Sequence, residues 1–445
     1  MKHILTYLFI AVSLVGQAQT SLTLDDCVRL AKENNRKIEA AELQYLSSRQ
    51  ERRSAKALFF PTFSLDGSAF YSTTDGSYSV SDGMLPVFGT DGMPTGQSAY
   101  FPGLNLAYDL NWIYSGGIKV EQPIYTGGKI RAGYRMAKLG NEMAWQNKRQ
   151  TEAEVIVETS RAYAEVVRTQ ELMQVATSYH NLLTELMRTV ESAQKHGMKS
   201  QNDVLKVKVK LNESELNLRR AENGHRLAMM NLCHYTGLPL SERIEIDGKL
   251  PDTNETYGQA ADICNRPEYL MLEQKVGLAQ QKVSMARSEY LPQIGVAGRY
   301  GYTNGVELNG SKLLDDWNFH IGIQISIPLF DFGKRMNKIK SAKAQYARMQ
   351  AEREDINEQL MLEMAQSANN LDEAFLERKL AESSVGSAEE NLRTSRLQYE
   401  KGVELISDYL EAQTLWQQAQ QTSVNARINC YLKWLEYKKT VGKIN

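Results

Sequence analysis

The groups that could hold a metal or move a proton in this 445-residue chain are six histidines, four cysteines and 53 aspartates and glutamates. Their spacing argues against both uses. No two histidines stand at metal-ligand spacing, there is no His-Glu-x-x-His, and no glycine-rich loop has the nucleotide-binding pattern. Cys27, Cys233, Cys264 and Cys430 form no Cys-x-x-Cys; three pairings are open to them, and burial as small apolar residues is the expected role. Most acids on long helices form a solvated face. Asp203 and Asp408 could each serve as a helix N-cap, which does not exclude lining a pore. The expectation is no enzyme, no metal site and no cofactor. A net charge of −1 gives no electrostatic case for nucleic acid.

The elements that carry these residues occur twice. Pro123, Gly128-Lys129, Ala137, Gly197, Asp203, Leu205 and Gly237 reappear as Pro328, Gly333-Lys334, Ala342, Gly402, Asp408, Leu410 and Gly442, all at one offset of 205. Upstream, Asn34, Ala55, Pro61, Gly67 and Tyr71 return as Asn265, Ala286, Pro292, Gly298 and Tyr302 at an offset of 231. The offset changes because the segment between the two blocks is shorter in the second copy. A tandem duplication with one elastic segment is a statement about architecture. Each repeat reads helix, strand, loop, strand, long helix, turn, helix.

The first helix is expected over 23–57, with a capping sequence at Thr23-Leu24-Asp25-Asp26 and a stop before Pro61. Its counterpart over 267–290 opens with Pro267, which a first helical turn tolerates. Strands are expected at about 62–72, 112–123, 293–302 and 317–328. In the last, Trp317, Phe319, Ile321, Ile323, Ile325 and Ile327 alternate with Asn318, His320, Gly322, Gln324 and Ser326. Ile294, Val296, Gly298, Tyr300 and Tyr302 form a similar set, as do Phe63, Leu65, Gly67, Ala69 and Tyr71, and more weakly Ile118 and Val120 around Lys119. Period-2 alternation over about 10 residues with aromatics toward an end fits transmembrane barrel strands. A soluble sheet with one buried face would alternate too. Four strands cannot close a barrel, because the smallest outer-membrane barrels have about 8, and lipid forbids open edges. Spanning strands here would require several chains to share one barrel.

Residues 130–195 contain no proline, and Leu172, Val175, Tyr179, Leu182, Leu186 and Val190 step by 3 or 4. Leu371, Ala374, Arg378, Ala381, Val385, Ala388, Leu392, Ser395 and Tyr399 step likewise. A helix of that size reaches about 99 Å, so something long is being spanned. Return helices are expected over 203–235 and 408–439. The elastic segments are loops, 73–110 in the first repeat, and the long loops of such barrels lie at the cell surface.

Lys2 and His3 precede an apolar run over 4–15, and Gly16-Gln17-Ala18 offers a cleavage site, so 1–18 reads as a signal peptide. No other stretch approaches 18 apolar residues, and mean hydropathy is −0.45. The repeats divide as 22–245 and 267–445, with a linker over 246–266.

The arrangement resembles the TolC family of outer-membrane efflux ducts. The resemblance rests on Gln122-Pro123-Ile124-Tyr125-Thr126-Gly127-Gly128 and Ile327-Pro328-Leu329-Phe330-Asp331-Phe332-Gly333 at the strand-to-helix exits, and on the turns 197–205 and 402–410. It implies a mainly α fold with transmembrane β: a trimer with a shared 12-stranded barrel and a long periplasmic α-barrel. It also implies an exit duct in the outer membrane serving a tripartite efflux or type I secretion system. The implied partners are a periplasmic adaptor and an inner-membrane pump of RND or ABC type. Tyr399, Asp408, Glu411 and Asp203 fall where the family constricts the pore. Gly197, Met198, Lys199, Ser200, Gly402, Val403, Glu404 and Leu405 form the implied docking tip. Glu404 stands where some members carry an arginine that locks the closed mouth, leaving Lys199 or Lys401 as candidates to hold the acids. The alternative is a periplasmic coiled-coil scaffold with no channel.

Overall fold

The computed structural model describes residues 21–242, 244–253 and 263–444. The expected signal peptide lies outside the described residues, as do linker positions 254–262. Residues fall into two compact units: one holds residues 49–140 and 277–348, the other the remaining helical segments.

The first of these units is built on an antiparallel sheet. Strands β1 (Thr62–Val80), β4 (Leu104–Thr126), β5 (Gln293–Leu308) and β6 (Ser311–Ser326) pair in the order β1-β4-β5-β6. A separate two-stranded sheet joins β2 (Gly83–Phe88) to β3 (Pro94–Phe101). The expected loop over 73–110 is thus mostly strand. Its Ser-, Thr- and Tyr-rich composition suits a strand wet on both faces, where the backbone ladder needs no apolar side. Likewise β5 and β6 run on to a tight turn at Asn309-Gly310 instead of breaking near 302.

The alternation places one apolar set on one face. Leu65, Ile118, Tyr300 and Phe319 pair directly across all four strands. Val120, Gly298 and Ile321 form the next row with Phe63. Ile323 is 70% exposed and Leu65 84%, so none of the described residues covers that face there. The opposite face carries the row Ser64, Lys119, Arg299 and His320.

The helical unit contains α1 (Leu24–Asn34) and most of α2 (Arg36–Ala57), with the greater parts of α3 (Lys129–Lys195) and α6 (Lys334–Glu400) and the start of α5 (Pro267–Ser288) up to Val276. It also holds α4 (Gln201–Thr236) and α7 (Ile406–Thr440) whole. Thr23 caps α1 in a box with Asp26, as the sequence suggests. The expected single helix over 23–57 breaks at Asn35, whose extended backbone ends α1. The Asn35 side chain accepts from the Lys37 amide at 2.9 Å and donates to the Tyr235 carbonyl at 3.1 Å. Asparagine favours such capping over a helix interior, which accounts for the break.

The two 67-residue helices α3 and α6 are repeat partners. Both begin at a side-chain cap: Thr126 Oγ accepts from the Ile130 amide at 3.3 Å, and Asp331 accepts from the Arg335 amide at 3.0 Å. The residue after each cap is left-handed, Gly127 at φ +61° and Phe332 at φ +53°. Phenylalanine adopts that conformation at a cost of about 1–2 kcal/mol.

Two cores hold the helical unit. In the larger, Tyr163, Leu232, Leu371 and Ile428 are fully buried. Tyr163 donates its hydroxyl to Asp247, and Leu22 pairs with Ile246 as an isolated parallel bridge. The four cysteines form no disulfide; Cys27, Cys233 and Cys430 are buried as expected, whereas Cys264 is exposed. Burial pushes the Cys27 thiol up to about 12.

Candidate functional site

The second core lies where the helices turn, and it positions the residues singled out from sequence. Gly197 and Gly402, both at φ +74°, end α3 and α6 in the same closing pattern. Met198 N–H donates to the Ala193 carbonyl and Val403 N–H to the Gln398 carbonyl, each at 2.9 Å. The left-handed glycine lets the chain reverse so sharply that Met198, Val403 and Leu405 project with 71%, 77% and 70% exposure.

The return helices start differently. Ser200, not Asp203, is the N-cap of α4; Asp203 sits three residues on and completes the capping box. In the second repeat Leu405 takes the cap position without a side-chain bond, and Asp408 stands in the first turn of α7. The N-cap expectation for both aspartates is therefore corrected: the capping oxygen belongs three residues earlier, and the second repeat has none there. Both acids still favour the positive end of their helix.

Behind the turns, Tyr179, Leu183, Leu186 and Val190 of α3 pack with Val204 and Val207 of α4, Tyr399 of α6, and Ile406, Tyr409 and Leu410 of α7. The seam on α3 runs through Leu183 where the periodicity suggested Leu182. Tyr399 is 8% exposed and stacks on Tyr409 at 5.3 Å between ring centroids. Lys199 places its ammonium 4.5 Å over the same ring. Burial, then the nearby charge of Asp203, holds the Tyr399 phenol above its ordinary range. In this conformation Tyr399 is a core residue behind the turns.

Asp408 and Glu411 lie three apart on the exposed side of α7, opposite the buried stripe of Ile406, Tyr409, Leu410 and Gln413. Glu404 accepts from Ser395 Oγ at 2.6 Å, so it folds back onto α6. That bond ties the turn to α6 within one hairpin. Lys199 meets a ring, not the acids. Sequence reasoning missed Tyr409 and Ser395. Their signal was the comparison of repeats, where Tyr409 and Ser395 replace Val204 and Val190.

The polar face of the sheet is a second candidate surface. Arg299 bonds Asp66 at 2.9 Å and Ser115 at 2.7 Å, and Lys119 pairs with Glu121 at 2.5 Å. Charges of both signs are matched there, as a wet surface requires. Among the described residues no cluster of histidine, cysteine or acid could hold a metal ion, and no helix is long and apolar enough to cross a membrane.

A model of the outer membrane efflux protein family matches residues 27–238 and 260–442. The alkaline protease secretion protein AprF of Pseudomonas aeruginosa is 21% identical, covering 100% of this chain and 90% of its own length. Outer membrane protein TolC of Vibrio cholerae is 21% identical, over 80% of this chain and 85% of its own. Among solved structures, the Campylobacter jejuni CmeC outer membrane channel aligns at a TM-score of 0.77 with 18% identity, covering 94% of this chain and 85% of the other. The outer membrane protein VceC of Vibrio cholerae aligns at 0.76 with 17% identity, covering 94% and 96%. The fold is therefore mainly helical with a four-stranded contribution of β, in the duplicated arrangement of these channels.

Proposed function

The chain belongs to the outer membrane efflux protein family, and from that premise we propose that three copies build one passive exit duct across the outer membrane. A periplasmic adaptor and an inner-membrane pump of RND or ABC type would complete the pathway. One observation carries this reading: β1 and β6 are both open edges of a sheet whose outer face is apolar and uncovered. Open edges cannot persist in lipid. Pairing β6 of one copy with β1 of the next satisfies them, and three copies give twelve strands.

In that ring the matched charges of Lys119, Arg299, Asp66 and Glu121 face a wet lumen, and the exposed Ile and Phe rows face lipid. The helical unit extends into the periplasm, and its turns meet the adaptor. Gly197, Met198, Lys199, Ser200, Gly402, Val403, Glu404 and Leu405 form the docking tip, with Met198, Val403 and Leu405 as apolar contacts. Asp408 and Glu411 line the mouth with Asp203 nearby, and Tyr399 braces the hairpins behind them.

Three copies bring six acids from Asp408 and Glu411 into one constriction. Like charges in a narrow mouth concentrate cations, and their field is poorly screened there. The duct is expected to prefer cations and to be blocked by multivalent cations from the periplasmic side. Asp408→Asn with Glu411→Gln is expected to weaken the preference and abolish the block while the assembled yield stays constant. Single-channel recordings in planar bilayers read this directly. Unchanged selectivity and block would return the two acids to a solvated helix face.

A further inference from the structure

The apolar face of the sheet is not uniform. Where Gly67 pairs with Gly116 there is a trough of about 640 Å³, within the range of ligand sites. Those two glycines form its floor. Leu65, Ile118, Tyr300, Tyr302 and Trp317 line it, together with Asp66 and Gly117 of the neighbouring row. Trp317 stacks on Tyr300 at 5.1 Å and lies 5.9 Å from Tyr302, which makes the aromatic wall rigid.

Glycine inside a strand weakens it unless something requires the missing side chain. On the polar face something does: a Cβ on Gly117 would come within 2.7 Å of Gly301, and one on Gly301 within 2.6 Å of the Gly116 carbonyl. On the apolar face nothing does. A Cβ on Gly67 would meet no atom nearer than the Ser115 carbonyl at 3.8 Å, and one on Gly116 none nearer than the Asp66 carbonyl at 3.9 Å. Neither residue is left-handed. What these two glycines supply is open space beside a wall of rings.

We propose that this trough is a binding site for one acyl chain of a bilayer lipid in each protomer. The inference rests on the reading that this face of the sheet meets lipid. The trough is continuous with the rows of Val120, Ile321 and Ile323, so a chain seated in it leads into the bilayer core. At its other end the strand turns polar: Tyr302 donates its hydroxyl to Asp315, and Asn304 donates to the Tyr302 hydroxyl at 3.2 Å. That change marks the level at which a headgroup would begin. An apolar slot with a flat aromatic side suits a flexible methylene chain. It opens on the face of the sheet and spans all four strands, from Leu65 on β1 to Trp317 on β6, whereas a second copy would pair along the backbone edges.

The test uses the full-length protein in detergent, titrated with dipalmitoyl phosphatidylethanolamine and read by native mass spectrometry under increasing collisional activation. The wild type is expected to keep one lipid per protomer after all others are stripped. Gly67→Leu with Gly116→Leu, which fills the floor, is expected to lower that retention at least tenfold with the oligomer mass unchanged. Tyr300→Ala with Trp317→Ala, which removes the wall without crowding the sheet, is expected to do the same. Gradual loss without a plateau in the wild type would overturn the proposal, as would equal retention in either assembled variant. A wild type that runs as a monomer would instead defeat the shared barrel, so the two failures are separable.

Discussion

Ile323→Arg is expected to abolish membrane-inserted protein, whereas Gln324→Arg one residue away leaves it almost intact. Ile323 is 70% exposed on the apolar face and pairs with Val296; Gln324 points the other way and pairs with Gly295. A charge aimed at the bilayer midplane costs about 2–4 kcal/mol, and a shared barrel incurs that cost once per protomer. Arginine on the wet face joins a surface that already carries Lys119 and Arg299. Heat-modifiable migration of the outer-membrane fraction measures both. Equal losses from the two variants would show that the faces are assigned wrongly.

Gly402→Trp is expected to abolish export without lowering the yield of assembled protein. The residue closes α6 at φ +74°, and a Cβ there meets no atom within 4 Å. The turn therefore has room for an indole, at a strain of about 1–2 kcal/mol that stays local. The indole would stand among Met198, Val403 and Leu405, the apolar contacts proposed above for an adaptor. Gly402→Asn tolerates the left-handed backbone with a small side chain and is expected to keep most export. Export assays beside crosslinking to the adaptor separate the two. Crosslinks near 73–110 instead of the turns would reverse the orientation.

The long elements were legible in the sequence because their signals accumulate over many residues. Two proline-free stretches with a 3-to-4 step became α3 and α6, and the duplication placed every major element in the right order. Strand faces were legible from Ile321, Ile323 and Ile325 for the same reason. The segment 73–110 was not, because a strand wet on both sides carries no periodicity to detect. The break at Asn35 turns on two side-chain hydrogen bonds, one to a carbonyl 200 residues away. At the tip, the two turns were legible from their glycines. The burial of Tyr399 was not, since it depends on four helices meeting and on Tyr409 lying beneath it. Glu404 read as a missing arginine; in the fold it is the partner of Ser395.

The central claim is that this chain contributes four strands to a barrel that other copies complete. The most direct test is the mass of the protein extracted from outer membranes in mild detergent, with bound detergent accounted for. The predicted result is a single species of three chains that resists dilution. A stable monomer, with its four-stranded sheet inserted alone, would contradict the shared barrel and the duct built on it.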